Sequence, residues 1–145
     1  MIHFAGERNF AIPLATAFAK LSDAAFLVAC VPDAKIAEAS ADRAVWKLKP
    51  KLSFVTGTLD AVLTVTSREP EKLAAFHIAT RAIGAGSAVT ATLQFSEPAA
   101  GGTLVQWTAD LMEVTGLLKM VPKGLLQGTA EKVIDDMWTA IAAKL

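Results

Sequence analysis

The stretch that decides the fold is the C-terminal sequence LLKMVPKGLLQGTAEKVIDDMWTAIAAKL, residues 117–145, which follows a long β-like run ending at Gly116. It predicts one amphipathic helix, because apolar residues recur every three or four positions and gather on one stripe. Charged residues such as Glu131 and Asp135 occupy the rest of its surface. A terminal helix with so broad an apolar face has to lie on other elements, and the functional question is whether it covers a solid core or a cavity. The predicted stripe consists of Leu126, Ala130, Val133, Ile134, Met137 and Ile141.

Pro122 and Gly124 interrupt the start of this helix. Proline lacks an N–H and clashes with the preceding turn, so the helix should kink there or begin near Pro122. Residues Leu117–Val121 are then expected to form a separate turn over the mouth of any pocket. We call these five residues the gate segment and expect them to be mobile.

The composition describes a neutral, apolar-rich chain. Apolar residues make up 53% of the 145 residues but only 7% are aromatic, so the excess is alanine, valine and leucine. That excess suits a densely packed domain and equally a domain that encloses an apolar pocket. Lysine plus arginine and aspartate plus glutamate both number 14. Because no basic surface stands out, we expect no nucleic-acid partner and little electrostatic attraction to membranes.

Length and targeting features predict one cytoplasmic domain. A chain of this size normally forms a single domain, here residues 1–145. Glu7 and Arg8 interrupt the apolar N-terminus, so no signal peptide is visible, and no apolar run approaches the roughly 18 residues of a membrane span. Cys30 is the only cysteine, which excludes an intramolecular disulfide. We therefore expect no metal site and no cofactor.

Residues 2–114 predict a strand, two short helices and then about six strands. Pro13 suits the first residue of a helix, and Asp23 is a suitable cap for a second helix that stops before Pro32. From residue 35 onwards apolar and polar residues alternate, and Gly57 is interpreted as a bend or bulge that curves the sheet. Because the strands follow one another without helices between them, the sheet should be antiparallel and the fold class α+β. The clearest strand patterns cover residues 43–49, 59–66, 73–81, 87–95 and 103–114.

Several short motifs accompany this element order along nearly the whole chain. They are Phe4-Ala5-Gly6, Leu21-Ser22-Asp23 followed by Cys30-Val31-Pro32, Phe54-x-x-Gly57-Thr58, Trp107-Thr108-Ala109-Asp110 and Val114-x-Gly116-Leu117-Leu118. The order resembles the helix-grip fold of the SRPBCC/START-like superfamily, and the motifs are similar to those of the carbon monoxide dehydrogenase CoxG family. The resemblance implies a curved antiparallel sheet wrapped around the C-terminal helix, with a ligand cavity between them.

The chain departs from the family pattern in three places, one of which is the small number of glycines in residues 76–86. The family usually has glycine after its Cys-x-Pro motif, where this chain has Asp33. Family members often continue past the helix into a linker and a membrane-anchoring segment, whereas this sequence ends at Leu145. We therefore expect no integral membrane segment.

Candidate catalytic residues are few. A nucleophile needs histidine or an equivalent base, and only His3 and His77 exist, both in predicted strands. His3 should face outwards, whereas His77 is either an ordinary strand histidine or a polar group of the pocket. Cys30, near the end of an apolar helix, is interpreted as a buried structural residue rather than a reactive thiol. Asp110 and Glu113 lie on opposite faces of a regular strand, so one of them could face the pocket. A bulge would swap that assignment, and exposure of both carboxylates is the favoured interpretation. No catalytic residue is assigned.

The apolar layer between sheet and helix is the remaining candidate site. By periodicity alone its residues form a solid core, whereas the family resemblance implies a pocket in the same layer. Apolar walls with few polar groups are typical of proteins that bind apolar or amphipathic molecules. The candidate ligand-binding residues are Trp46, Phe54, Phe76, His77, Leu93, Phe95, Trp107, Leu111, Met120, Val121, Leu126 and Met137.

The sequence thus predicts a non-catalytic protein that binds a hydrophobic or amphipathic small molecule. The resemblance implies a lipid or a quinone as ligand and a role as accessory to a CO-dehydrogenase-type molybdenum hydroxylase, with peripheral attachment to the inner membrane through that partner. Two alternatives stay open. One is a polyketide cyclase- or aromatase-like enzyme, and the other is a protein–protein adaptor whose cavity has collapsed.

Overall fold

The computed structural model describes residues 1–49 and 57–145. Its elements follow the predicted order of one strand, two short helices, six strands and a long helix. They are β1 (Ile2–Phe10), α1 (Leu14–Leu21), α2 (Ala24–Ala29), β2 (Lys35–Ala39), β3 (Arg43–Leu48), β4 (Leu59–Glu69), β5 (Leu73–Ala82), β6 (Ala85–Ser96), β7 (Thr103–Gly116), a 3₁₀ turn (Leu117–Met120) and α3 (Lys123–Lys144).

Within residues 1–49 and 57–145, seven strands form one curved antiparallel sheet in the order β1-β7-β6-β5-β4-β3-β2. Strands β2 to β7 are sequential neighbours, and β1 returns to pair with β7 along its whole length, from Ile2 opposite Leu111 to Phe10 opposite Thr103. The long helix lies against the same face of the sheet as α1 and α2. The predicted α+β class and the helix-grip arrangement are therefore confirmed.

The core lies between this inner face and the helices. Alternate residues of each central strand are buried, as the period of two in the sequence predicts. At one end α1 closes the layer, where the Phe18 ring meets Phe95 edge-on with centroids 5.2 Å apart. The largest buried strand residues are Ile2 and Phe4 in β1, Trp46 in β3, Leu63 in β4, Phe76 in β5, Leu93 and Phe95 in β6, and Val105 and Trp107 in β7.

The two short helices begin and end where local chemistry requires. Pro13 precedes α1, and the Asp23 carboxylate accepts a hydrogen bond of 3.0 Å from the Ala25 N–H at the start of α2. Cys30 ends α2 and is buried. Asp33, where the family usually has glycine, adopts a φ of 60°. Aspartate is one of the few residues that tolerate this left-handed conformation, which glycine adopts freely.

The irregularities of the sheet agree only in part with the prediction. Gly57 has a φ of 77° but lies just before β4, so it is a bend ahead of the strand and not a bulge within it. The bulges lie elsewhere. In β7 the register opposite β6 shifts between Leu111 and Glu113, which leaves Met112 as the extra residue.

The buried stripe of α3 also differs from the prediction. The most buried residues are Trp138 and Ile141, whereas Val133 is 54% exposed. At 100° per residue, Val133 lies about 140° around the helix from Trp138. The stripe therefore follows steps of four through Ala130 and Ile134 to Trp138, a residue that was not among those predicted.

Candidate ligand-binding site

A crevice of about 260 Å³ lies between one end of the sheet and the start of α3. Its walls come from the first residues of β1, the end of β7, the gate segment and the first turns of α3. Apolar side chains predominate, with Glu113, Lys119 and Lys123 as its charged residues. The lining residues are Met1, Ile2, Leu111, Met112, Glu113, Val114, Leu118, Lys119, Val121, Lys123 and Leu126.

The gate segment is a separate turn, as the sequence predicts. Leu117–Met120 forms a 3₁₀ turn, and α3 begins after Pro122, whose φ of −55° suits a helix start. The turn is tied down at its beginning, because the Leu117 N–H donates a 2.8 Å hydrogen bond to the Gly84 carbonyl. At Gly116 the φ is 62°, and a Cβ there would lie 1.9 Å from the Gly84 oxygen. Only glycine fits the point where β7 turns into the gate segment.

Three of the predicted ligand-binding residues meet in this crevice. Leu111 at the end of β7, Val121 in the gate segment and Leu126 in α3 all line it. Met120 does not, because its side chain is 81% exposed on the outside of the turn. Leu118 and Ile2 also line the crevice but were not predicted, although their spacing from Val121 and Phe4 was a usable signal.

Most of the other predicted residues lie in the buried core. Trp46, Phe76, Leu93, Phe95 and Trp107 are all buried on the inner face of the sheet, and Met137 packs against the same cluster from α3. The structure thus brings them together as one packed layer that continues from the crevice. Phe54 belongs to residues 50–56, which lie outside the described ranges.

His77 lies on the other face of the sheet. It is between the inward-facing Phe76 and Ile78 in β5, and its cross-strand neighbours are Thr64 and Thr90. Since successive residues of a strand point to opposite faces, His77 and Phe76 do not line the same space. The structure therefore separates His77 from the rest of the predicted pocket.

Two buried indole groups stand out in the core. The Nε1 atoms of Trp46 and Trp107 are buried, and neither has a hydrogen-bond acceptor among residues 1–49 and 57–145. A buried donor without an acceptor destabilises the fold by about 1–3 kcal/mol, so such groups call for an explanation. The Trp107 ring lies directly over the backbone of Gly6, where a Cβ would be 2.8 Å from the ring atom Cζ2.

His3, Asp110 and Glu113 face away from this buried layer, whereas Cys30 lies within it. His3 is exposed, as predicted, and its Nδ1 is 2.6 Å from Oδ1 of Asp110 on the outer face. The bulge at Met112 also turns Glu113 to the face that carries Asp110, so neither carboxylate points into the core. Cys30 is buried as predicted, and desolvation raises the pKa of its thiol, which the nearby Lys144 ammonium partly opposes.

A larger crevice of about 440 Å³ lies on the outer face of the sheet, near the tip of the β5–β6 hairpin. Asp60, Arg81 and Glu113 supply its charges, and its floor consists of small residues such as Ala79 and Ala88. It shares no predicted ligand-binding residue with the inner layer. Within residues 1–49 and 57–145, no cluster of three or more His, Cys, Asp or Glu side chains is arranged to hold a metal ion.

None of the helices in the described part of the chain has both the length and the apolar character needed to cross a bilayer.

Several solved structures are similar to this one. A conserved protein from Geobacillus kaustophilus is 19% identical, with a TM-score of 0.84 over 99% of this chain and 94% of its own. A protein from Chromobacterium violaceum is 11% identical, with a TM-score of 0.69 over 100% and 98%. A protein from Rhizobium loti is 16% identical, with a TM-score of 0.66 over 99% and 96%. At these identities the likeness shows the fold alone.

Sequence comparison identifies the family. No curated protein matches the chain. The family model for CoxG, described as a subunit of carbon monoxide dehydrogenase, matches residues 6–145, which is nearly the whole sequence. The chain belongs to the CoxG family.

Proposed function

We propose that this protein binds a hydrophobic or amphipathic small molecule, without converting it, between the inner face of the sheet and α3. The observation that carries the proposal is the crevice beneath the gate segment, which has apolar walls at Leu111, Val121 and Leu126. The family and the fold both fit small-molecule binding.

The crevice has to enlarge to hold a ligand of ordinary size. Ligand pockets usually measure about 300–1,000 Å³, whereas this crevice measures about 260 Å³. The first half of α3 is poorly packed, with Leu125 exposed and Leu126 only partly buried. An outward movement of this half, together with the gate segment, is therefore the least costly way to admit a ligand.

The ligand is proposed to carry hydrogen-bond acceptors. Neither Trp46 nor Trp107 lines the crevice. An apolar molecule that extended from the crevice into the core would leave their indole N–H groups unpaired, as they are without it. A carbonyl, ether or hydroxyl oxygen would instead satisfy one of them, and a buried hydrogen bond is most favourable where water is excluded. A lipid or a quinone has both an apolar body and such oxygens.

The family name supports a cellular context for this binding. We propose that the protein is an accessory to a CO-dehydrogenase-type molybdenum hydroxylase in the cytoplasm, attached to the inner membrane through that partner. In this role it would deliver or remove the ligand and leave the redox chemistry to the enzyme.

A protein–protein adaptor is the second candidate. The observation that favours it is the dense packing of Phe76, Leu93 and Phe95, which fill the centre of the layer where a large cavity was expected. An enzyme has less support, because the buried polar side chains in the described ranges are Ser22 and Thr103. Thr103 already donates to the Ile12 carbonyl at 2.9 Å, and neither group is a general base.

Extraction of the purified protein with organic solvent, followed by mass spectrometry, tests the proposal. We expect an apolar molecule with at least one oxygen acceptor, present in near-stoichiometric amount. Leu126→Asn, which puts an amide in the crevice wall, should lower the ligand content several-fold. Val133→Asn is the matched control, because Val133 lies on the exposed side of the same helix. Equal ligand content in both variants, or none in the wild type, would contradict the proposal.

Hydrogen exchange tests the gate segment separately. The amides of Leu118–Val121 should exchange more slowly once ligand is bound, because the segment closes over the crevice. The Leu117 amide, already bonded to the Gly84 carbonyl, should change less. A gate segment that exchanges equally with and without ligand would rule out its role as a gate.

A further inference from the structure

Two hydroxyl side chains lie on the inner face of the sheet, at the end that borders the crevice. Thr80 in β5 shares its face with Phe76, because the strand alternates regularly between them, and Ser87 lies directly opposite Thr80 in β6. The two hydroxyl groups are half-buried and hydrogen-bonded to each other. We call these two residues the hydroxyl pair. Both also border the outer crevice, but their side chains point away from its floor at Ala79 and Ala88.

A cross-strand row connects the hydroxyl pair to the crevice on one side and to a buried indole on the other. Val114, which lines the crevice, is opposite Ser87. On the other side, Thr80 is opposite Ala61, which in turn is opposite Trp46. Neighbouring strands are about 4.8 Å apart, so the hydroxyl pair begins roughly 5 Å from the crevice wall. The row ends at the indole whose buried N–H has no acceptor in the described ranges.

The side chains around the hydroxyl pair are small. Ala61 lies beside it in the row, and the next row towards the hairpin tip contains Ala82, Ala85 and Gly116. Larger residues such as Phe95 fill the layer at its other end. The first half of α3, which borders the same crevice, is loosely packed. Room for the polar end of a ligand is therefore made most easily next to the hydroxyl pair.

The hydrogen-bonding groups of this row suit an uncharged partner. When one hydroxyl donates to the other, one O–H donor and several lone pairs remain free, and the Trp46 indole supplies a second donor. The row contains no charged side chain, so a carboxylate held there would lack a counter-charge and its burial would be costly. Lys119 and Lys123, which favour an anion, belong to the gate segment and to the first residue of α3, at the mouth of the crevice.

We propose that the hydroxyl pair and the Trp46 N–H hold the uncharged, oxygen-bearing end of the ligand, while its apolar body lies past Val114 in the crevice. The assignment rests on the proposed function and adds an orientation and a selectivity to it. The polar end enters first, and a carbonyl or hydroxyl group is preferred to a carboxylate. A ligand with an anionic end would bind in the reverse orientation, with that end beside Lys119 and Lys123.

Two probes of equal chain length test the selectivity. The compound 2-decanone carries an uncharged carbonyl, whereas decanoate is an anion at neutral pH. The wild-type protein should bind 2-decanone about tenfold more tightly than decanoate, because only the anion would be buried without a counter-charge. Titration followed by ¹H–¹⁵N NMR measures both affinities, and the indole resonance of Trp46 should shift as 2-decanone binds.

Conservative variants test the residues. Thr80→Val removes a hydroxyl but keeps the shape of the side chain, and it should weaken 2-decanone binding about fivefold. Ser87→Ala removes the partner hydroxyl and should act in the same direction, which provides a second test if one variant folds poorly. The matched control is Thr64→Val, because Thr64 lies opposite His77 on the outer face. It should change the affinity less than about twofold.

The possible results separate this proposal from the proposed function. Equal affinities of Thr80→Val and Thr64→Val for 2-decanone, or a Trp46 resonance that does not move, would overturn the hydroxyl pair as a binding site and leave the proposed function in place. Tighter binding of decanoate that is lost in Lys119→Gln with Lys123→Gln would overturn the orientation. A wild-type protein that binds neither probe would also overturn the assignment, and if it yields no ligand on extraction either, the proposed function fails as well.

Discussion

The two halves of α3 are held to the sheet in very different ways. In the second half, Trp138 is 7% exposed and its ring lies 6.0 Å from Phe10 and 6.3 Å from Trp107. In the first half, Leu125 is 54% exposed and Gly124 and Gly128 have no atom within 4 Å of a Cβ position. A helix that is anchored at one end and loose at the other can move about its anchor. The candidate ligand-binding crevice lies at the loose end.

Polar contacts reinforce the anchored half. The Arg8 guanidinium stands 6.0 Å above the Trp138 ring and pairs with Asp135 at 3.0 Å. Near the C-terminus, the Lys144 ammonium donates a 2.6 Å hydrogen bond to the Ala29 carbonyl at the end of α2. A cation is favourable there because carbonyl groups at a helix end lack partners. No comparable bond joins the first half of α3 to the sheet within the described residues.

Truncation of the aromatic anchor should have the largest effect. Trp138→Ala removes the ring that packs on Phe10 and Trp107, and we expect the free energy of unfolding to fall by about 3–5 kcal/mol. Val133→Ala, on the exposed side of the same helix, should change it by less than about 0.5 kcal/mol. Chemical denaturation measures both. Similar losses in the two variants would mean that the Trp138 ring does not anchor α3 to the sheet.

A substitution next to Trp107, on which the Trp138 ring packs, should have the next largest effect on stability. In Gly6→Ala, the new methyl group would lie 2.8 Å from Cζ2 of Trp107. The ring would have to shift towards Trp138, and overpacking of this kind costs about 1–3 kcal/mol. Thermal unfolding and the near-ultraviolet circular dichroism of the tryptophans report both consequences. Unchanged spectra together with unchanged stability would show that the Trp107 ring is not confined by Gly6.

The parts of the fold that could be predicted are those that depend on local sequence, either on a single residue or on the alternation within one strand. Pro13, Asp23 and Pro122 mark helix starts by their own chemistry, and strict alternation in β4 and β6 assigns faces without knowledge of neighbours. Trp138 could not be predicted as the most buried residue of this part of α3. Whether Trp138 or Met137 faces the sheet depends on the rotation of α3 about its axis, and contacts with Trp107 and Phe10, far away in sequence, set that rotation.

The candidate site was predictable only in part for a similar reason. The side that Glu113 faces depends on a one-residue bulge at Met112, which the sequence pattern does not reveal. The sequence predicts His77 and Phe76 in the same pocket. Adjacent residues of a strand point to opposite faces of the sheet, and this alternation alone excludes His77 from the pocket that Phe76 faces. Whether Phe76 and Leu93 surround a cavity or fill the layer depends on the combined volume of side chains from several strands. A local sequence pattern does not give that combined volume.

Stabilising the helical conformation of the loose half should raise the free energy of unfolding, by less than the preceding variants lower it. Gly128→Ala adds a methyl group that meets no atom within 4 Å. Alanine in a helix interior is more favourable than glycine by roughly 0.5–1 kcal/mol, so stability should rise by up to that amount. If the first half of α3 must move to admit ligand, ligand exchange should also become slower, which release of bound ligand over time would measure. A gain in stability without slower ligand release would show that the first half of α3 does not have to move for the ligand to enter or leave.

The smallest expected effect is on the alkylation rate of Cys30, which lies at the end of α2 beneath the anchored terminus of α3. Burial raises the pKa of its thiol above the ordinary range, while Lys144 opposes the shift. Because the folded state holds the proton more tightly than the unfolded state, this contribution to stability is complete below the ordinary thiol pKa. It is lost as the pH rises from there through the raised pKa of the folded state. At neutral pH the buried thiol should therefore alkylate far more slowly than a free cysteine. Lys144→Met, which removes the bond to Ala29, should speed alkylation if the end of α3 shields the thiol. Gly128→Ala, in the loose half, should leave the rate unchanged, and a change there would show that the two halves of α3 move together.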